Sequence, residues 1–215
     1  MLTVDFDRLG LRPGERVLDM GCGAGRHAFE MYRRGADVIA FDQDADELSG
    51  VRDLFVAMEE AGEVPAGAEA DVKEGDALSL PFADGAFDVV ACRTAAHHFA
   101  DPAAAVREMA RVSRDRVLLV DTVFMGDEVE EAERRRDPSH VRNYTEAEWR
   151  GLVEDAGLEI GDVRLSAHTF DFAAWLARTG CEGEEAQLVE DLLGDRVAEG
   201  RLTLDKIAIR AAKGY

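Results

Sequence analysis

Residues 16–25 read Arg-Val-Leu-Asp-Met-Gly-Cys-Gly-Ala-Gly, an apolar stretch closed by an acid and followed by glycines at 21, 23 and 25. A strand that ends in alternating glycines turns sharply and brings its backbone against a ligand without Cβ clashes. The helix that follows aims its unpaired N–H groups at that ligand. A dinucleotide-binding unit spaces its glycines G-x-G-x-x-G, and here the third glycine comes one residue early. An ordinary glycine-rich turn is the plain alternative, which this segment alone does not exclude.

Strand and helix signals alternate from there on. The pattern predicts strands at 16–20, 37–42, 68–74, 86–92 and 116–123, the last apolar enough to be buried on both faces. Helices are expected from Gly25 to Arg34, from the N-cap Asp44 to about Ala61, and from Asp101-Pro102 to Val112. Residues 124–140 read as irregular and carry the run Arg134-Arg135-Arg136. Thr145 and Glu148 form a capping box for a helix to Ala156. A strand near 158–168, helical stretches at 171–179 and 183–199, and a strand at 202–210 complete the chain. Such alternation indicates an open parallel α/β sheet with helices on both faces. No repeat or linker divides the 215 residues, so one domain spanning 1–215 is expected.

Composition narrows the partners. At a formal charge of −20 the chain repels nucleic-acid phosphates and anionic membranes, so neither is an expected partner. No apolar run reaches the ~20 residues that cross a bilayer. Residues 1–7 lack the basic-then-apolar pattern of a leader, which leaves a cytoplasmic location. Cys22, Cys92 and Cys181 are far apart, so reduced thiols and no metal are expected. The acidic, arginine-rich surface is compatible with a high-salt or high-temperature source, or with a GC-rich genome.

Three further segments carry chemistry. Asp42 closes the second strand about 20 residues past the loop, where a carboxylate accepts from both hydroxyls of a ribose. Residues 75–82, Gly-Asp-Ala-Leu-Ser-Leu-Pro-Phe, place Asp76 to accept from an adenine amino group, the Ala77 amide near a ring nitrogen, and Leu78 over the ring face. A capped turn is the alternative there. His97 and His98 leave the carboxyl end of the fourth strand, beside the crevice where open α/β sheets bind ligands. Either histidine is a candidate general base, the alternative being packing beneath a cofactor or capping of the next helix.

Taken in order, Asp-x-Gly-x-Gly-x-Gly, the strand-end Asp42, Gly-Asp-Ala-x-x-Leu-Pro-Phe, Phe87-Asp88-Val-Val and His-His-Phe-x-Asp-Pro resemble the ubiquinone/menaquinone-biosynthesis-type class I S-adenosylmethionine-dependent methyltransferases. The likeness is greatest to their small bacterial stand-alone, YcgJ-like members. It extends through Arg136-Asp137-Pro138-Ser139-His140-Val141-Arg142, Glu148-Trp149 and Trp175-Leu-Ala-Arg-Thr-Gly, and covers about residues 10–210. It implies a Rossmann-like seven-stranded sheet of order 3-2-1-4-5-7-6, last strand antiparallel, and S-adenosylmethionine as methyl donor with S-adenosylhomocysteine as product. By the same resemblance Asp19, Gly21, Cys22, Gly23 and Gly25 line the methionine moiety. Asp42, with Gln43, holds the ribose, Asp76, Ala77 and Leu78 meet adenine, and Arg93 and His98 sit near the reactive end.

Two departures stand out. Ser113-Arg114-Asp115 replaces the usual Pro-Gly-Gly, which should change only a turn. The N-terminal extension of the family is nearly absent, which puts the cap in doubt. Residues 124–148 and 170–200 are the expected cap elements, with His140, Arg142 and Tyr144 as candidate contacts to the small-molecule acceptor. Trp149 and Trp175 are expected helix-packing anchors, and Cys181 a residue at the pocket mouth. The expected function is methyl transfer to oxygen or carbon of a small acceptor, aromatic or quinone-like by family analogy. A nicotinamide oxidoreductase and a non-catalytic S-adenosylmethionine-binding protein are the alternatives.

Overall fold

The strand run that begins with Arg16–Met20 (β1) builds one sheet in the computed structural model, which describes residues 10–214. The other strands are Asp37–Asp42 (β2), Ala70–Glu74 (β3), Phe87–Arg93 (β4), Ser113–Thr122 (β5), Leu158–Asp171 (β6), Val197–Ala198 (β7) and Arg201–Lys213 (β8). Their order is β3-β2-β1-β4-β5-β8-β6, with the two-residue β7 folded onto β8. β1 to β5 pair in parallel, and β8 runs antiparallel to both β5 and β6. The expected order therefore holds, with β8 as the seventh strand and β7 as an added hairpin arm. Glu199 and Gly200, both at positive φ, make the two-residue turn between them.

Alternation along the strands sends side chains to two apolar layers. On one face Leu18, Val90, Cys92, Leu119 and Ile209 meet Pro102–Val112 (α3) and Glu146–Asp155 (α5) through Met109, Val153 and the fully buried Trp149. On the other, Val17, Val89, Ala91, Leu118 and Val120 meet Arg26–Arg33 (α1) and Ala45–Glu60 (α2) through Met31, Tyr32, Val51 and Phe55. A third cluster joins Asp127–Arg136 (α4), Phe172–Ala177 (α6) and Gly183–Leu193 (α7), through Val129, Ala132, Trp175, Val189 and Leu193, to Leu202 and Leu204. Two of the expected cap segments thus share an apolar centre of their own. Among the described residues no helix is long and apolar enough to cross a membrane.

Several expectations need correction. Residues 124–140 contain the helix α4. Its only apolar residues are Val129 and Ala132, so it lacks a hydrophobic period, but acids fill its first turn and arginines its last, which suits the helix dipole. The helix at 183–199 stops at Leu193, where Gly194 takes φ +52°. Ser113-Arg114-Asp115 is no turn. α3 runs straight into β5, and the β4–β5 register slips between Phe87 and Val89. The buried Arg116 behind that slip pairs with Glu15 and Asp115, each at 2.6 Å. Cys181 is buried in the third cluster. The expectations for residues 1–7 and the short N-terminus lie outside the described residues.

Trp149→Ala removes the largest fully buried side chain of the first layer. It should lower the unfolding free energy by about 3–5 kcal/mol, read from denaturant melts. A loss under about 1 kcal/mol would show that α5 is not anchored by this ring.

Candidate active site

The carboxyl ends of β1, β2 and β4 meet where the sheet changes winding direction, the place at which open α/β sheets bind ligands. Gly21 and Cys22 donate their amides to the Phe41 carbonyl at 2.8 and 3.1 Å. The Gly23 amide donates to Asp42 Oδ2 at 2.8 Å, and that of Asp44 to Oδ1 at 3.2 Å. The glycine loop is thereby bound to the end of β2. Its three glycines serve different ends. A Cβ on Gly21 would stand 2.6 Å from Ala95 Cβ, and one on Gly25 2.7 Å from Val51, so these two permit close packing. A Cβ on Gly23 would meet nothing within 4 Å, so Gly23 faces open space.

The other expected cofactor contacts are placed as follows. Asp19 is buried. Its Oδ1 lies 3.1 Å from His27 Nδ1, and its Oδ2 has no hydrogen-bond partner. Cys22 is half-buried, and burial, then the charges of Asp19 and Asp42, push its thiol far up, so it stays protonated. Asp76 is exposed and accepts from the Leu78 amide at 2.8 Å, while Ala77 and Leu78 are half-buried against the first apolar layer. Gln43 is exposed, and Arg93 is half-buried at the end of β4.

Beyond Arg93 the chain enters a single 3-10 turn, Ala96–His98, through Thr94 at φ +54°. Asp121, at the end of β5, grips this turn. His97 Nδ1–H donates to Asp121 Oδ1 at 2.5 Å and the His97 amide to Oδ2 at 2.9 Å. Lys206 Nζ, from β8, donates to Thr94 Oγ1 at 3.0 Å. Burial pulls the His97 imidazole down, but Asp121 and then Glu133 more than offset it, and its pKa is raised above 6.5. Burial likewise pushes Asp121 up, yet His97 and Lys206 bring it below its ordinary 3.8. His97 is thus half of an interior ion pair.

His98 differs. It is half-buried, its ring centroid 4.1 Å from that of His97, and its Nδ1 is 3.1 Å from Ser139 Oγ. Ser139 donates its hydroxyl to Asp137 Oδ1 at 2.5 Å, so Oγ is left to accept from His98 Nδ1–H. The neutral ring then carries its lone pair on Nε2. Burial, then the charge of His97, lowers the His98 pKa from 6.5.

The segment 137–144 lies across this pair, with the Val141 and Arg142 amides donating to the His97 carbonyl at 3.0 and 3.1 Å. His140, expected over the crevice, is instead an interior residue whose Nε2 donates to Glu130 at 3.0 Å. Arg142 pairs with Glu148 and lies 4.8 Å from the Tyr144 ring centroid, and Tyr144 stands against Trp149. Glu130, Glu133 and His140 bring ligand-type atoms within 4.8 Å of one another. Asn143 fills that cluster, donating to Glu130 from its backbone and side-chain amides and to Glu133 from its side chain. Asp121, Ser139, Asp137 and Lys206 were missed from the sequence. Only Asp121 gave a signal there, as an acid closing an apolar run.

A glycine loop tied to a strand-end acid, facing a histidine turn across the switch point of a 3-2-1-4-5-8-6 sheet, defines the class I S-adenosylmethionine-dependent methyltransferases. The Methyltransferase domain family matches residues 18–120. The chain is 35% identical over 189 residues to the uncharacterized methyltransferase YcgJ of Bacillus subtilis (strain 168), covering 84% of this chain and 72% of that one. The crystal structure of YcgJ superposes with a TM-score of 0.85 at 28% identity, covering 100% and 98% of the two chains. A demethylmenaquinone methyltransferase of Beutenbergia cavernae is 36% identical over 124 residues, 55% of this chain and 45% of that protein. The chain belongs to this methyltransferase family and uses S-adenosylmethionine, giving S-adenosylhomocysteine.

The His97–Asp121 pair makes a pH-dependent contribution to stability. His97, raised above 6.5, stabilises the fold fully below that pH and loses its contribution as pH rises through the raised value. Asp121, held below 3.8, contributes above that pH and loses its part as pH falls through the lowered value. The difference in unfolding free energy between wild type and His97→Gln should therefore be largest near pH 4–6.5 and shrink as pH rises through the raised His97 value. A difference that is flat over this range would contradict the ion pair.

Proposed function

We propose that the chain methylates an oxygen or carbon nucleophile of a small molecule, with the donor on the β1–β2 side of the crevice and His98 as general base. The observation that carries this reading is the open space beside Gly23, whose amide is held by the Asp42 carboxylate, together with the buried, unpartnered Oδ2 of Asp19 at the end of β1. It fits a ligand that bears a ribose diol at one end and an ammonium group at the other. In this reading Asp42, with Gln43, takes the ribose, Asp76, Ala77 and Leu78 take adenine, and Asp19 with the loop Gly21–Gly25 takes the methionine moiety. Arg93 stands near the reactive end. Residues 124–148 and 170–200 cap the single domain over the acceptor. A quinone-like or aromatic acceptor is suggested by the similar demethylmenaquinone and ubiquinone-biosynthesis enzymes.

Bound S-adenosylmethionine supplies a methyl carbon on a sulfonium leaving group. The protein's part is to hold acceptor and methyl in line, which is a large rate term in itself. Through Ser139, Asp137 fixes the His98 ring with its Nε2 lone pair available, so that Nε2 takes the proton shed by the acceptor. His97, held by Asp121, is a positioning residue that keeps this turn in place.

Two outcomes test the reading. Gly23→Ala places its Cβ in empty space, at φ +47°, so the variant should fold with only a modest loss of about 1–2 kcal/mol. Its calorimetric affinity for S-adenosylhomocysteine should fall at least about tenfold, and unchanged affinity would remove the donor from this loop. His98→Gln, saturated with donor, should lose about 10²-fold or more in kcat. Wild-type kcat should fall as acid protonates His98, with a midpoint below 6.5, and the variant should lose that limb. A variant turning over at near wild-type rate would exclude His98 as the base.

A further inference from the structure

Asp19 stands on the face of β1 that looks toward α1. In register it lies between Ala40 of β2 and Ala91 of β4, two buried alanines that offer it no side-chain hydrogen bond. A partner for its carboxylate therefore has to come from the helix above. It comes from His27, the second residue of α1, whose Nδ1 lies 3.1 Å from Asp19 Oδ1. The two side chains are 6% and 1% exposed. A carboxylate only accepts, so Nδ1 carries the hydrogen. Among the described residues no lysine or arginine pairs with Asp19, and its Oδ2 has no partner.

Other acids of low exposure are met by guanidiniums, Glu15 by Arg116, Glu108 by Arg111 and Asp137 by Arg136. An arginine stands beside His27 in the chain, but Arg26 is exposed and the imidazole is the group that turns to Asp19. The choice has a chemical consequence. A guanidinium would cancel the carboxylate charge in the empty site, whereas an imidazole donates one N–H while itself uncharged. A buried carboxylate with one such donor keeps a charge that a cation is needed to balance. That charge is felt at the glycine loop, where burial, then Asp19 and Asp42, raise the Cys22 thiol.

We propose that His27 is a positioning residue of the donor site: its Nδ1–H holds Asp19 Oδ1, sets Oδ2 toward the ammonium group of the ligand, and leaves the carboxylate charge uncancelled. The assignment rests on the reading above that Asp19 takes the methionine moiety. It adds the residue that makes this end of the crevice select an ammonium group. Without His27 the carboxylate, flanked by two alanines, has nothing to fix its orientation, and the fixed geometry on which selective binding depends is lost.

The test compares S-adenosylhomocysteine with its deamino counterpart, in which hydrogen replaces the amino group. Each is titrated calorimetrically into the full chain. Wild type should bind S-adenosylhomocysteine at least about tenfold more tightly than the deamino compound. His27→Ala should lose at least about fivefold in affinity for S-adenosylhomocysteine and less than about twofold for the deamino compound. His27→Asn keeps an uncharged N–H near the place of Nδ1 and should recover most of the discrimination. Nitrogen NMR of His27 in the wild-type chain should find the hydrogen on Nδ1 both before and after S-adenosylhomocysteine binds. This measurement decides the matter should His27→Ala fail to fold. A hydrogen on Nε2 alone overturns the proposal. So does a loss in His27→Ala that is equal for the two ligands, which would mark His27 as packing only, or an Asn variant that discriminates no better than the Ala variant. Undiminished discrimination in His27→Ala overturns this proposal and leaves the donor reading standing. Wild-type chain that binds the two ligands equally overturns instead the assignment of Asp19 to the ammonium group, and failure to bind either overturns the donor site itself.

Discussion

The hydrogen bond from the Gly23 amide to Asp42 Oδ2, with the Gly21 and Cys22 amides on the Phe41 carbonyl, binds the first loop to the end of the second strand. The crevice depends on it. Without these three bonds the loop would leave its donors unpaired in a half-buried place, at about 1–3 kcal/mol each. With them, Gly21 and Gly25 press against Ala95 and Val51, and a Cβ on Gly23 would meet only open space. One carboxylate thus holds the loop's shape and still faces the space that the loop frames.

A second tie closes the opposite wall. Asp121 reaches back from β5 to both the ring and the amide of His97, and the His97 carbonyl in turn receives the segment that carries Ser139 and Arg142. Burial, then the charge of His97, lowers the His98 pKa, while Asp121 raises that of His97, so that two adjacent histidines of the same kind differ in basicity. Sequence adjacency gives no hint of that difference. It arises because Asp121 contacts one histidine and not the other.

Elements with a strong period or cap were legible in the sequence. The helix Pro102–Val112 after Asp101 and the Thr145–Glu148 capping box follow from local signals, whereas the strand order followed from the family resemblance. α4 was not legible, because its face toward the third cluster is only Val129 and Ala132 and its stability comes from charge placement and tertiary contact. Among candidate site residues, the glycine loop and Asp42 could be read because backbone geometry fixes their residue types. His140 could not, since its burial depends on Glu130, ten residues earlier, on a helix the sequence did not reveal.

The account stands most directly on where the donor lies. A crystal structure of the chain with S-adenosylhomocysteine should place both ribose hydroxyls within about 3 Å of the Asp42 carboxylate, with adenine at Asp76–Leu78 and the sulfur facing His98. A product molecule whose ribose lies away from Asp42, or whose sulfur faces away from His98, would contradict it.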